Sequence, residues 1–298
     1  MAKEKEEVKK NEPEEIDFSA IKNLNAVAAV DEEGARNISK QAKKTKKTGM
    51  FNFLEEELIA LPSGGRYYKE VTDDEDILSG FIKMRPMTVK EEQILSTRKY
   101  LREGIATRMI LENCITSDID AKDILLFDSN FLMFYLRKIS YGDEYKFEIK
   151  STEDLYGRKF KHTLKISELA FEELPKELKE PIVIKLPRSK YTVECVLARL
   201  YHSESIHKME MKKDDTDENS RVLDNALVTT VRIIDDSKKE VPEKHWREFY
   251  EALLGEDIAT IREATVFDTG IDNIKVICPY TGNEMEAGIS LGPEFFRL

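Results

Sequence analysis

The sequence predicts an α+β protein in which mixed helices and short strands follow a disordered, charged N-terminal arm. Three observations predict this class: a charged leader poor in large apolar residues, later segments with helical apolar spacing, and others with alternating apolar residues. The 298 residues, 41% of them hydrophobic, can form one large or two modest domains. We predict an arm over 1–50, an α+β domain over 51–150 and a second over 151–298.

The predicted arm separates its charges along the chain. Residues 34–50 carry six basic residues and no acid, whereas residues 1–33 carry five basic and ten acidic residues. Such a segment buries too little apolar surface to offset the entropy of ordering. It is either a solubilising leader or a docking arm for an acidic partner. A short apolar stripe could form an amphipathic turn on a partner, and it consists of Ile16, Phe18, Ile21 and Leu24.

Ordered structure is predicted to begin at Met50 and to lead into a strand over Leu78–Met84. Thr88 is a good helix N-cap because Glu91 follows three residues later, as in a capping box. The segment TVKEEQILSTRKYLREG is therefore predicted to form one helix. A second helix is predicted over Ala106–Ile115.

The next helix is predicted to be buried and to lead directly into a strand. Its residues Ser129–Ile139 include FLMFYLRKI, which is apolar on nearly every face. Gly142 ends this helix, and EYKFEIK alternates like a strand with one covered face. A buried helix and a half-covered strand are thus expected next to each other.

The rest of the chain is also predicted to contain both strands and helices. Strands are predicted at KFKHTLKIS, PIVIKLP, IKVICP and AGISL, and a loop at KKDDTDENS. The segments RVLDNALVTTVRIID and HWREFYEALLGEDIATIREA have helical apolar spacing, the second with one face formed by Trp246, Phe249, Tyr250, Leu253 and Leu254. YTVECVLARL is either a helix or a strand with Val193, Cys195 and Leu197 on one side.

Two halves of the chain present similar signals in the same order. Each opens with a Leu-Pro pair, at Leu61-Pro62 and Leu186-Pro187, and then reaches an acidic helix start, KEEQIL or SESIHKM. An apolar segment follows (ILENCI or VTTVRII), then a helix after Leu-Leu (LLFDSNFLMF or LLGEDIATI), then glycine and a strand (YGDEYKFEI or TGIDNIKVI). The halves are either a remote internal duplication or unrelated segments with common turn and helix signals.

Composition excludes several classes of function. A formal net charge of -11 opposes general nucleic-acid binding, because an acidic surface repels phosphate. No apolar run approaches the roughly 18 residues of a membrane span, and MAKEKEEVKK is unlike a secretory signal, so we expect synthesis in a cytoplasm. The few, widely spaced cysteines indicate free thiols in a reducing compartment, and they are Cys114, Cys195 and Cys278.

No motif predicts catalysis or a cofactor. The only glycine pair, Gly64-Gly65, is followed by Arg66 and tyrosines, which is not a phosphate-binding loop. None of the four histidines lies in a nucleophile signature, and acids are too numerous for adjacent pairs to be informative. Cys278 lies in CPYTG without a second cysteine, so this ribbon-like end is predicted to be a structural turn without zinc. We predict a protein that is not an enzyme.

Several motifs taken together resemble the central baseplate hub family of T-even-like, contractile-tailed bacteriophages. These motifs are LPSGGRYY, FIKMRPMTVKEEQIL and the DSNFLMFYLR helix leading to ISYGDEYKFEI, spanning roughly residues 53–147. GIDNIKVICPYTG and the terminal Phe295-Phe296 give a weaker resemblance to phage tail proteins. Members of the family often carry paired cysteines after the YGDEY strand and near the C-terminus. Here STEDLYG has none, and Thr281 replaces the second C-terminal one, so we expect no metal.

The resemblance implies a structural hub component that binds other tail proteins, namely hub, tape measure or baseplate wedge proteins. We expect assembly in the host cytoplasm and a place in the virion baseplate, with no membrane or nucleic-acid partner; a homo-oligomer is left open. An alternative is a transient assembly chaperone absent from the virion, and a more distant one is a tail-associated cell-wall hydrolase.

Aromatic residues and arginines are common anchors of protein interfaces. This chemistry and the resemblance together predict an interface formed by Arg66, Tyr67, Tyr68, Arg137, Tyr141, Tyr145, Phe295 and Phe296. The alternative is that the tyrosines cover the core of their own domain.

Overall fold

The computed structural model describes residues 55–296 except 155, 211–217, 268, 272 and 290. Helices and small antiparallel sheets follow one another along these residues, which confirms the predicted α+β class. The predicted arm and its apolar stripe lie outside the described residues. Most of the predicted loop KKDDTDENS does too, and its last three residues begin a helix.

Among its described residues, the N-terminal half (57–165) has two antiparallel strand pairs and five helices. Its strands are β1 (Glu57–Ala60), β2 (Phe81–Met84), β3 (Glu144–Lys150) and β4 (Lys159–Lys165). Its helices are α1 (Glu75–Leu78), α2 (Val89–Ser96), α3 (Arg98–Arg102), α4 (Ala106–Cys114) and α5 (Leu126–Tyr141). β1 pairs with β2 and β3 with β4, both antiparallel.

The described part of the C-terminal half (182–288) has a three-stranded sheet, four helices and a closing hairpin. Its strands are β5 (Ile182–Lys185), β6 (Thr192–Cys195), β7 (Thr230–Ile234), β8 (Asn273–Ile277) and β9 (Glu284–Gly288). Its helices are α6 (Leu200–Glu210), α7 (Glu218–Thr229), α8 (Trp246–Glu251) and α9 (Gly255–Thr265). The sheet order is β5-β6-β7, and β8 pairs with β9.

Short 3-10 turns complete the chain at Ala121–Asp123, Ile166–Glu168, Glu243–His245 and Pro293–Phe296. The larger core contains buried side chains from both halves, from Ile59 to Phe296. A smaller core lies between hairpins β3-β4 and β8-β9, around Ile149, Val276 and Met285. The predicted division into two domains at residue 150 stays a prediction. No helix among the described residues has the length and apolar content needed to cross a membrane.

The two halves repeat the same hairpin contacts. Ile59 faces Ile82 across β1-β2, and Ile184 faces Val193 across β5-β6. At the end of each first strand, the leucine of the Leu-Pro pair donates its amide across the hairpin: Leu61 to the Gly80 carbonyl and Leu186 to the Tyr191 carbonyl, both at 2.8 Å. The paired leucines therefore occupy equivalent positions.

The helices after these hairpins also match. Glu91, third in α2, accepts from the amide of Thr88 at 2.7 Å, which confirms the predicted capping box. His202, third in α6, accepts in the same way from the amide of Arg199 at 3.1 Å. Both side chains thus satisfy a backbone donor at the start of a helix.

In each half, the last carbonyl of a later helix, α4 or α7, accepts from the amide of the residue that follows a strand. The Arg85 amide donates to the Cys114 carbonyl, and the Val196 amide donates to the Thr229 carbonyl, both at 2.9 Å. These matched contacts, in matched order, show that the two halves are structurally similar, and whether they arose by internal duplication stays open.

Two expectations for the N-terminal half need correction. The predicted single helix is broken between α2 and α3, where Thr97 is extended. Ser96 and Thr97 donate their hydroxyls to carbonyls four residues earlier, a bond that competes with helix continuation. The strand predicted from Leu78 begins at Phe81, because Leu78 belongs to α1 and Gly80 has a positive φ of 91°.

The C-terminal half contains two further corrections. RVLDNALVTTVRIID changes from helix to strand after Thr229, because β7 pairs with β6. The long predicted helix is interrupted between α8 and α9. Leu254 is 58% exposed there, whereas Trp246 and Tyr250, predicted on the same face, are buried. The open alternative for YTVECVLARL is resolved as strand over Thr192–Cys195, with a helix from Leu200.

Backbone pairing joins the halves to each other. Leu125 and Arg199 form an isolated antiparallel bridge. On either side of it the Leu126 amide donates to the Ala198 carbonyl at 2.7 Å, and the Leu200 amide donates to the Ile124 carbonyl at 2.9 Å. The start of α5 is therefore fixed to the segment that enters α6.

Candidate protein interface

The SGG turn is fixed by one buried carboxylate. Asp128, third in α5, accepts from the Ser63 amide at 3.0 Å, the Ser63 hydroxyl at 2.6 Å and the Tyr68 hydroxyl at 2.7 Å. The Tyr68 oxygen in turn accepts from the Leu125 amide at 3.0 Å. Burial raises the pKa of Asp128, although the hydrogen bonds from Ser63 and Tyr68 oppose that rise. All four groups lie inside the core.

Glycine is required in this turn for steric reasons. Gly65 has a φ of 75°, and a Cβ there would lie 2.0 Å from the Ile77 carbonyl oxygen. The turn therefore packs its backbone directly against the end of α1.

Arg66 and Tyr67 connect this turn to the segment before β5. The Arg66 guanidinium donates to the carbonyls of Leu174 at 2.7 Å and Pro175 at 3.0 Å. The Tyr67 hydroxyl donates to the Leu178 carbonyl at 3.1 Å. Arg66 stays exposed and Tyr67 half-buried, so each retains surface that a partner could contact.

Arg199 approaches the same turn from the C-terminal half. Its guanidinium donates to the Tyr67 carbonyl at 2.8 Å and the Asp123 carbonyl at 2.7 Å, and it lies 3.5 Å from the Glu180 carboxylate. It also lies over the Tyr68 ring, 5.8 Å from the centroid. The turn is thus held from both halves.

A second group of predicted interface residues surrounds the buried Arg137. Its guanidinium carbon lies 5.3 Å from the ring centroid of Tyr145, 5.5 Å from that of Tyr141 and 5.9 Å from that of Phe295. Aromatic faces attract a cation, and a desolvated site strengthens that attraction. Phe296 contacts Phe295 and is itself buried.

The charge of Arg137 faces main-chain oxygens beyond the end of α5. It donates to the carbonyls of Gly142 and Glu144, both at 3.2 Å. Burial lowers the pKa of Arg137, while the carbonyls near the negative end of the helix dipole favour a cation there. These contacts fix the turn between α5 and β3.

Tyr141 is the most accessible member of this second group. Its ring is half-buried, and its hydroxyl donates to the Glu92 carboxylate at 2.6 Å. The group's other members, Arg137, Tyr145, Phe295 and Phe296, have at most 7% of their surface exposed. All eight predicted residues make contacts within the chain, and their contact with a partner protein stays a prediction.

The sequence analysis assigned no site role to Ser63, Asp128, Arg199 or Asp257, although both acids stand in the repeated helix segments LLFDSNFLMF and LLGEDIATI. The C-terminal counterpart of the Asp128 contact is made by Asp257, third in α9, which accepts from the amides of Arg188 at 2.8 Å and Ser189 at 3.0 Å. The signal that could have found both acids is their shared place in a helix after Leu-Leu, facing a Leu-Pro turn far away in sequence.

The ribbon-like end packs against the β3-β4 hairpin. The buried Cys278 sulfur lies 3.1 Å from the Ser151 hydroxyl, and Tyr280 donates its hydroxyl to the Lys159 carbonyl at 2.8 Å. Although burial raises the pKa of Cys278, hydrogen bonds from Ser151, Thr281 and nearby amides lower it to about 7. In the part of the chain that the structure describes, no three His, Cys, Asp or Glu residues are grouped to hold a metal ion. That the protein binds no metal stays a prediction.

Comparison with known proteins gives one family. The family model described as "T4 bacteriophage base plate protein" matches residues 57–297, nearly all of the described chain. No curated protein and no solved structure matches this sequence.

Proposed function

Because the chain belongs to the T4 bacteriophage base plate protein family, we propose that it is a structural component of the central hub of a contractile tail. The observation that carries this proposal is the family match across both halves. The resemblance of LPSGGRYY and the DSNFLMFYLR helix to hub proteins supports a position in the hub. Ser63, Tyr68 and Asp128 in these motifs join to one another, which suits a rigid part that positions its neighbours.

The proposed mechanism is protein–protein binding without catalysis. Arg66, Tyr67 and Tyr141 combine internal hydrogen bonds with accessible ring or guanidinium surface. Side chains held in this way lose little conformational entropy when a partner covers them. The proposed partners are hub, tape measure or baseplate wedge proteins, and a second copy of the chain is another proposed partner.

Quantitative mass spectrometry of purified virions beside infected-cell lysate tests the hub assignment. We expect a fixed ratio of this chain to other tail proteins in the particle. A chain abundant in the lysate but absent from virions would instead be a transient assembly chaperone. Peptidoglycan clearing by the purified protein in a zymogram would contradict the non-enzymatic mechanism.

The accessible aromatic surface can be tested in the same virions. Tyr67→Ala and Tyr141→Ala should reduce incorporation by about tenfold if each removes an interface anchor. Tyr156→Ala is the matched control, because Tyr156 is 86% exposed and outside the predicted interface. Normal incorporation of both variants would remove these two tyrosines from the interface, and their melting temperatures would show whether folding was affected.

A further inference from the structure

One face of the β1-β2 strand pair is apolar although it is exposed. Leu58 lies opposite Lys83, and Ala60 lies opposite Phe81. Directly opposed residues of an antiparallel pair project from the same face, so these four side chains form one surface, which we call the outer face. Leu58 is 52% exposed and Phe81 is 41% exposed. A contiguous exposed apolar surface can mark a site where another protein packs.

The equivalent strand pair of the C-terminal half, β5-β6, lacks this apolar surface. Ile184 faces Val193 on its buried side, as Ile59 faces Ile82 in β1-β2. The positions of β5-β6 that correspond to the outer face are occupied by Val183, Lys185, Thr192 and Glu194. Only the first of these four residues is apolar, so the same backbone arrangement folds without an aromatic ring at the position of Phe81.

Acidic residues surround the outer face. Lys83, the cation of this face, forms an ion pair with Asp76 and is also attracted by the carboxylates of Asp74 and Glu56. Residues 55–83 contain eight acidic and three basic residues. Surroundings of this sign attract a basic partner and repel the phosphate groups of nucleic acids and of anionic lipids. The charge therefore favours a basic protein as the occupant.

We propose that the outer face binds a segment of another tail protein in which apolar residues are flanked by lysines or arginines. The apolar residues pack on Leu58 and Phe81, and the flanking cations are attracted by Glu56, Asp74 and Asp76. Burial of apolar surface supplies the affinity, and the acidic surroundings select the basic partner. The inference rests on the proposed function, because it names the chemistry of one tail partner.

Fluorescence anisotropy with a labelled Lys-Lys-Leu-Phe-Leu-Lys-Lys peptide tests the outer face on the full-length protein. Two matched probes are Glu-Glu-Leu-Phe-Leu-Glu-Glu, which inverts the charge, and Lys-Lys-Ser-Ser-Ser-Lys-Lys, which lacks apolar residues. We expect the basic apolar peptide to bind about tenfold more tightly than either probe. Equal binding of all three peptides, or no binding of the first, would overturn the proposal.

The two halves of the chain supply a matched pair of variants. Leu58→Ser removes an apolar group from the outer face and should weaken binding of the basic apolar peptide by about tenfold. Val183→Ser makes the same kind of change at the equivalent position of β5, which is 63% exposed, and should leave binding unchanged. Both melting temperatures should stay near wild type, because each side chain is largely exposed. Equal weakening in both variants, or in neither, would contradict the site.

A second pair of variants tests the acidic surroundings. Glu56→Lys should weaken binding of the basic apolar peptide by about threefold, because it places a repelling charge beside the outer face. Glu248→Lys makes the same change in net charge at a side chain of α8 that is 84% exposed, and it should leave binding unchanged. Equal weakening by the two variants would attribute binding to the net charge of the whole chain and would overturn the site.

Sedimentation velocity distinguishes the proposed partner from a second copy of the chain. We expect the wild-type protein and Leu58→Ser to sediment alike. Wild-type dimers that Leu58→Ser dissociates would show that a second copy covers the outer face, and that result would overturn the proposal.

This test is separable from the hub test. A chain present in virions whose purified form does not bind the basic apolar peptide would keep the hub proposal and overturn the binding site. Peptide binding by a chain absent from virions would keep the site and assign its partner to an assembly stage.

Discussion

The two halves use the same buried acid in different chemical surroundings. Asp128 accepts from one amide and two hydroxyls, whereas Asp257 accepts from two amides. Backbone donors are present whatever the sequence, but the Ser63 and Tyr68 hydroxyls depend on side-chain identity. The same backbone arrangement therefore occurs in both halves, and only the N-terminal half adds a side-chain network to it.

The largest effect should come from removing the first of these acids. Asp128→Ala leaves three buried donors without an acceptor and should lower the free energy of unfolding by about 3–5 kcal/mol. Asp257→Ala should cost about 1–3 kcal/mol, because only two amides lose their acceptor. Urea denaturation measures both. Equal losses would show that the Ser63 and Tyr68 hydroxyls contribute nothing to the stability of the N-terminal half.

The ends of α5 and α9 differ in how deeply the equivalent side chain is buried. Arg137 is the twelfth residue of α5, and Val266 is the equivalent residue just beyond α9. Arg137→Ala removes buried ring contacts and two hydrogen bonds, so it should cost about 2–4 kcal/mol. Val266→Ala should stay within about 0.5 kcal/mol, because Val266 is half exposed. Similar losses in thermal unfolding would contradict this difference.

Equivalent residues at the starts of α2 and α6 should respond differently to pH. Burial, and then Arg199, lowers the pKa of His202 from 6.5 to about 3. The unfolded chain therefore binds more protons between these values, and stability is present above pH 6.5 and lost as pH falls toward 3. From pH 7 to 4.5 this residue should remove about 2–3 kcal/mol. His202→Gln keeps a hydrogen-bond acceptor but does not titrate. It should abolish this pH-dependent loss of stability, measured by urea denaturation at each pH.

Glu91 supplies the contrast in the same measurement. Burial raises the pKa of Glu91, but the hydrogen bonds from Arg85 and Thr88 lower it by a larger amount. The net shift of its pKa is therefore downward. A lowered carboxylate pKa contributes stability above the unfolded value that is lost only in acid below about pH 4.3. Glu91→Gln should therefore leave the slope between pH 7 and 5 unchanged. A change there would mean that the two positions do not titrate separately.

A smaller loss than for Asp128, Arg137 or His202 should come from the cap before α2. Thr88→Ala removes the hydroxyl that accepts from the Lys90 amide and should cost about 1 kcal/mol. Thr88→Ser is the control, because it keeps that hydroxyl and should stay near wild type. If thermal unfolding shows that Thr88→Ser loses as much stability as Thr88→Ala, the methyl group of Thr88 and not its hydroxyl is responsible.

Local signals in the sequence predicted local structure well. Thr88 and Glu91 predicted a cap, and Gly142 predicted the end of α5, because neighbouring residues decide both. The break at Thr97 and the change to strand after Thr229 were missed, since they depend on hydroxyl back-bonding and on pairing with β6. The Ser63–Asp128 contact joins residues 65 positions apart and has no local signal.

The same limit applies to the candidate interface. Residue chemistry and the family resemblance predicted Tyr68 and Phe295 as interface residues, and the folded chain shows that both are completely buried. A residue type suited to an interface is equally suited to a core.

The bridge between Leu125 and Arg199 has a mechanical consequence. Main-chain hydrogen bonds on both sides of it join the start of α5 to the segment before α6. A force that enters one half of the chain during tail movement would reach the other through backbone pairing and not only through side-chain contacts. The halves should therefore resist separation together and yield in one step when pulled.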